Sequence, residues 1–165
     1  MKSKDDKIIK GWLAFFIVSL VISGLTAIPV NSELPFLLDF LPPGSNAFFW
    51  IQKVSGAYRK VSLEYPFLFY GYDWLAFAHF VIAVAFFGPL KDPVKNIWVF
   101  EFGMIACIMV IPFALIVGGL RELPIWWRLI DCSFGVFGFI PLWLCRRKTI
   151  ELEKLINADR MNIVF

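Results

Sequence analysis

Charge is what this 165-residue chain has least of. Asp, Glu, Lys and Arg make up only 18% of it, against 59% hydrophobic residues, where soluble domains carry ~25% and ~45–50%. So much apolar surface excludes a disordered chain. Sixteen Lys and Arg against thirteen Asp and Glu leave a net +3 with no basic stripe, so nucleic acid is not expected as a partner. Cys107, Cys132 and Cys145 stand apart, without any C-x-x-C, which excludes a disulfide-built scaffold. With one histidine, His79, a tetrahedral His/Cys zinc site has too few ligands. The phosphate-cradling patterns G-x-x-x-x-G-K-[ST] and G-x-G-x-x-G are missing, as is G-x-S-x-G, so no cofactor, no metal and no serine nucleophile are expected.

Long apolar runs are what the chain does have. A spanning helix needs about 20 mostly apolar residues to cross ~30 Å of hydrocarbon. Four runs qualify: 12–30 without a charge, 74–90, 97–120 containing Glu101, and 123–145 containing Arg128 and Asp131. The sequence therefore predicts an all-α polytopic protein, residues 1–165 forming a single integral membrane domain of four transmembrane helices in a bundle. The first run has the basic start of a signal peptide (Lys2, Lys4, Lys7, Lys10). It is long for one and lacks a good small-x-small cleavage site, so it is read as a retained span.

Orientation follows from loop cations. Eleven Lys and Arg (the four N-terminal lysines, Lys91, Lys95, Arg146, Arg147, Lys148, Lys154 and Arg160) share one side, against Lys53, Arg59, Lys60 and Arg121 on the other. The richer side is expected to be the cytoplasm, with both termini there and the chain in the cell (inner) membrane.

Residues 31–73 are then an extracytoplasmic loop. Within it, 47–64 places Phe48, Ile51, Val54, Tyr58 and Val61 at helical spacing away from Lys53, Arg59 and Lys60. This predicts an amphipathic helix in the headgroup plane, with Asn46 as its N-cap. An aromatic run, 65–72, follows it, suited to the interface or to a lid. Beyond the fourth span, Ile150, Leu152, Leu155 and Ile156 against Glu151, Glu153 and Lys154 predict a separate short amphipathic helix on the cytoplasmic face.

Ionisable side chains within spans are costly and mark either a site or a structural pair. At ~1.5 Å per residue, His79, Arg128 and Asp131 reach a similar depth in the outer half. Arg128 and Asp131, three residues apart, share a helix face, which Gly135 and Gly138 extend as a surface for close helix approach. Ser19, Ser23 and Thr26 share a face of the first span. The expected site is an outward-open polar pocket of His79, Arg128 and Asp131, with Ser23 and Thr26 beside it and Asp73, Arg121 and Glu122 at its mouth. The competing expectation makes Arg128–Asp131 a structural ion pair. Glu101, near the cytoplasmic end, is expected to pair with Lys91 or Lys95.

Three functions compete on this basis. One is a module that binds a ligand or a partner membrane protein through the outer pocket, with membrane lipid, another membrane protein or a second copy of the chain as partners. The second is an intramembrane enzyme acting on a lipid or lipid-linked substrate at the outer leaflet, with His79 or Asp131 as general acid or base and Arg128 holding the headgroup. The third is an ion or proton carrier using Glu101 and Asp131. Length and span plan resemble those of the lipoprotein signal peptidases, but their Asn-x-Gly motif and a second aspartate in span three are missing here, so that chemistry is not assigned.

Overall fold

A computed structural model describes residues 2–163. They form seven α-helices: α1 Lys2–Thr26, α2 Val30–Phe40, α3 Asn46–Glu64, α4 Tyr70–Ala85, α5 Phe87–Lys91, α6 Ile97–Leu120 and α7 Ile125–Ile163, with a 3-10 turn at Pro66–Phe69 before α4. There is no strand among the described residues. Among the described residues four segments are long and apolar enough to cross a membrane: Lys4–Thr26, Pro66–Lys91, Ile97–Leu120 and Ile125–Asp159. The chain is thus an all-helical, multi-pass membrane protein.

Local chemistry sets the boundaries. Helix α1 stops at Thr26 rather than Val30, because Pro29 disfavours helical backbone in the residue before it, and Val30 instead opens α2. The second span breaks at Phe86. Pro89 has no N–H to offer the Ala85 carbonyl, and its ring crowds that carbonyl, so α4 ends at Ala85 and α5 begins at Phe87. The predicted loop helix is present as α3, but its N-cap is Ser45, whose hydroxyl accepts from the Phe48 N–H at 3.1 Å, and not Asn46. Helix α2 was not evident in the sequence, where Pro35 interrupts its pattern.

The separate cytoplasmic tail helix does not form. Instead α7 runs without a break for 39 residues, or ~58 Å at helical rise. No Gly or Pro follows Pro141. The basic run after Cys145 is held helical by pairs to Glu151, from Arg147 at 3.5 Å and Lys148 at 2.6 Å.

Two compact units are described separately. The first comprises Met1–Val18 and Ala83–Phe165. Its core is apolar and fully buried: Ile9 and Leu13 of α1, Phe86, Phe100 of α6 and Leu142 of α7. The Phe16 ring meets Phe86 edge-on at 4.8 Å between centroids. Lipid tails are as apolar as these side chains, so close packing must hold the helices together. Glycines supply it: a Cβ on Gly135 would stand 2.5 Å from the Cys107 carbonyl oxygen, and one on Gly138 3.0 Å from the Cys107 sulfur. Polar contacts fasten the α1 start to α7. The Cys145 thiol donates to the Ile9 carbonyl at 3.6 Å, and Lys148 pairs with Asp5 at 3.4 Å.

The second unit is Ser19–Ile82. Here α2 packs along α3, with Leu34 and Ile51 buried. Tyr58 of α3 lies against Phe69 (4.2 Å between ring centroids) and Tyr72 (6.3 Å). The end of α1 touches α4 at Gly24, where a Cβ would come within 3.0 Å of the Ala76 carbonyl oxygen and of His79 Cβ.

Candidate functional site

The polar residues of span four converge at the α6–α7 turn. Helix α6 ends in a Schellman arrangement: the Leu123 N–H donates to the Gly118 carbonyl at 2.9 Å and the Glu122 N–H to the Gly119 carbonyl at 3.1 Å. This places Glu122 in the left-handed region, at φ 57°, where glycine is the favoured residue. Pro124 then starts α7, its carbonyl accepting from the Trp127 and Arg128 N–H groups. A non-glycine residue in that conformation costs roughly 1–2 kcal/mol. Glu122→Gly is therefore expected to stabilise the protein by about 1 kcal/mol, visible as a higher melting temperature in a fixed detergent; an unchanged or lower value would contradict the assignment.

Arg128 folds back over this helix end. Its Nε donates to the Leu123 carbonyl at 2.8 Å and its Nη1 to the Leu115 carbonyl at 3.5 Å. The stem fits because residues 118 and 119 have no side chains: a Cβ on Gly118 would stand 2.8 Å from Arg128 Cγ, and one on Gly119 3.1 Å from Nη1. The guanidinium thus bonds one carbonyl of the turn and one of the second-last turn of α6, near the negative end of the helix dipole. The expected Arg128–Asp131 pair is not made; among the described residues no ion pair joins them. The physical reason is competition: the backbone carbonyls of the α6–α7 turn lie within reach of a planar, multi-donor cation.

Asp131 is left to a cavity of about 220 Å³ between α6 and α7. The walls are Val110, Phe113, Ala114, Val117, Gly118 and Leu123, and among the described residues the ionisable lining ones are Asp131 and Arg121. Asp131 is half-buried, and among the described residues its carboxylate has no hydrogen-bond or ion-pair partner. It sits six residues into α7, ~9 Å along the axis, while Arg121 stands at the C-cap of α6. The arrangement is a half-open, apolar cavity bordered by one acid and one arginine. The wall-forming face of α6 escaped the sequence reading. Its signal was the apolar and small spacing 110, 113–114, 117–118, ending in Arg121.

The other expected site residues make these contacts within their own units. His79 belongs to the second unit, where its Nδ1 lies 2.7 Å from the Leu75 carbonyl. A carbonyl only accepts, so Nδ1 carries the proton of this hydrogen bond. In the same unit, the Thr26 hydroxyl donates to the Ser23 carbonyl at 3.0 Å, and Ser23 is half-buried. Asp73 is exposed in the first turn of α4. Burial, with Tyr72 and Asp73 adding negative charge nearby, holds the Tyr58 phenol above its usual range. Glu122 is exposed in the turn. Glu101 pairs with neither Lys91 nor Lys95: its Oε1 takes Arg146 Nη2 at 2.8 Å and Nε at 2.9 Å. Lys95 is occupied with Asp92 at 3.2 Å. Arginine wins because its fork delivers two donors to one carboxylate oxygen.

No group of three or more His, Cys, Asp or Glu poised to hold a metal occurs among the described residues. Set against known proteins, the chain matches no protein family, no characterised protein and no solved structure.

Proposed function

We propose that this chain is a binding module of the cell membrane that holds one amphiphilic ligand, a membrane lipid or lipid-like molecule, in the α6–α7 cavity. One observation carries the reading: Asp131 lines a cavity that is apolar apart from Arg121, and has no protein partner among the described residues. An acid at that depth is retained against its cost only where something meets it. The apolar walls suit a hydrocarbon chain. Asp131 takes a hydroxyl or amide donor near the head of the ligand, and Arg121 takes an anionic group at the mouth. The excess of Lys and Arg at the opposite end favours an outward-facing cavity with both termini in the cytoplasm.

The rival readings have less support. The close-packing face of Gly135 and Gly138 is spent on Cys107 of the same chain, so it no longer argues for a partner protein. Glu101 is bound to Arg146, which weakens a carrier that would cycle it.

The test is native mass spectrometry of the protein extracted with its lipids. The wild type is expected to retain one lipid-like adduct. Asp131→Asn and Arg121→Gln are each expected to weaken it at least tenfold, since a charge-assisted hydrogen bond is worth ~1.5–3 kcal/mol. Val117→Phe, which fills the slot, is expected to displace it. Retention of the same adduct by all three folded variants would end this reading.

A further inference from the structure

The expectation for α3 was an apolar face turned toward the acyl chains. In the structure that face is already used by the chain itself. Ile51 is buried, Phe48, Val54, Tyr58 and Val61 are half-buried, α2 packs alongside, and the Phe69 ring lies tilted against Tyr58. What α3 leaves outward is the opposite arc. At 100° per residue Lys53, Gly56, Arg59 and Lys60 fall on it, with Phe49 near one end and Leu63 near the other. All six are exposed. A Cβ on Gly56 would meet nothing within 4 Å, so no described residue of this unit covers the middle of this arc.

The arc is cationic and unneutralised. Glu64 is its only acid, and among the described residues no ion pair reaches Lys53, Arg59 or Lys60. Lys53 instead sits 5.7 Å from the centroid of the Trp50 ring, which leaves its charge in place. Five cations elsewhere, Lys10, Lys95, Arg146, Arg147 and Lys148, do have acidic partners. The segment is also tethered at both ends to spans, at Thr26 behind it and Pro66 ahead of it, so it stays within reach of one membrane surface.

We infer that this face of α3 docks on anionic phospholipid headgroups of the adjoining leaflet. Lys53, Arg59 and Lys60 meet phosphates, and Phe49 and Leu63 dip between headgroups at the two ends. The site is distinct from the α6–α7 cavity and does not depend on it. Cations near an anionic surface contribute about fivefold each in lipid preference, on the order of 100-fold for three, and the effect fades with salt.

The experiment uses the full chain in nanodiscs of equimolar phosphatidylcholine and phosphatidylglycerol, with a photo-cross-linking amino acid replacing Gln52 on the exposed arc. Cross-linked lipid is expected to be phosphatidylglycerol by more than tenfold. The preference is expected to fall to near unity in Lys53→Gln/Arg59→Gln/Lys60→Gln, and also in the unsubstituted chain at high salt, an arm that needs no charge variant to fold. Equal capture of the two lipids by the unsubstituted chain at low salt overturns the proposal. So does cross-linking chiefly to a second copy of the chain, or a preference that survives both neutralisation and salt.

Discussion

Gly135→Ala is expected to destabilise this protein more than any other single-methyl addition. The new Cβ would lie 2.5 Å from the Cys107 carbonyl oxygen, 3.5 Å from its carbon and 3.6 Å from Ile111 Cγ1. The obstacle is backbone of α6, which cannot rotate aside as a side chain can. The two helices must separate or shift in register along their contact. Overpacking in a well-packed core costs typically ~1–3 kcal/mol, occasionally more, and this site belongs at the upper end, because contact is the main force joining helices in lipid. Gly11 is the control. Nothing lies within 4 Å of a Cβ there, so Gly11→Ala is expected to be neutral or to stabilise by up to ~1 kcal/mol through helix propensity. Thermal unfolding of both variants in one detergent separates the two effects. If Gly135→Ala melts with the wild type, the close α6–α7 approach is wrong.

The parts of this molecule that were legible in the sequence are those set by local pattern. Ile97–Leu120 was read to the residue because Asn96 and Arg121 bracket an uninterrupted apolar run. Helix α3 was read nearly as well, since its apolar and cationic residues fall on separate arcs. The Gly135–Gly138 face announced a close neighbour. What could not be read was partner choice. Arg128 sits three residues from Asp131, and spacing alone makes them a pair. Only the fold brings the Leu123 and Leu115 carbonyls within reach of the guanidinium and shows them competing for it. Glu101 has two lysines within ten residues in sequence, yet Arg146, 45 residues away, reaches it first. The continuation of α7 through Arg146-Arg147-Lys148 was hidden for a related reason. A cation cluster after a span reads as an anchor at the membrane surface, although it is equally a run of good helix formers with Glu151 one turn on. The cavity belongs to the same class. Its walls are ordinary apolar span residues, and only the packing of α6 on α7 shows which of them face inward.

Arg128→Ala is expected to cost about 3 kcal/mol, and that cost tests which reading of the polar cluster is right. Two losses combine. A hydrogen bond from a charged donor is worth ~1.5–3 kcal/mol, and the Leu123 carbonyl, bonded at 2.8 Å, has little water to replace it. The arginine stem also packs on Gly118 and Gly119, so truncation leaves a gap there. Arg128→Lys is not expected to rescue. An ammonium at the end of a flexible stem cannot offer a donor at the Nε position while lying along the same groove. Arg128→Met, which keeps the apolar stem, should recover the packing loss but not the hydrogen bond. Asp131→Asn, by contrast, is expected to leave stability unchanged within about 0.5 kcal/mol, because no bond to the carboxylate is broken. The decisive quantity is the coupling in the double-mutant cycle of Arg128→Ala and Asp131→Asn. Independent residues give near-additive costs, whereas an ion pair would make the arginine more than 1 kcal/mol cheaper to remove once the carboxylate is gone. Near-zero coupling frees Asp131 from any structural debt to Arg128. Its presence in an apolar cavity then has to be explained by what it binds, and the same Asp131→Asn protein, folded as stably as the wild type, is the one in which loss of the ligand can be read without ambiguity.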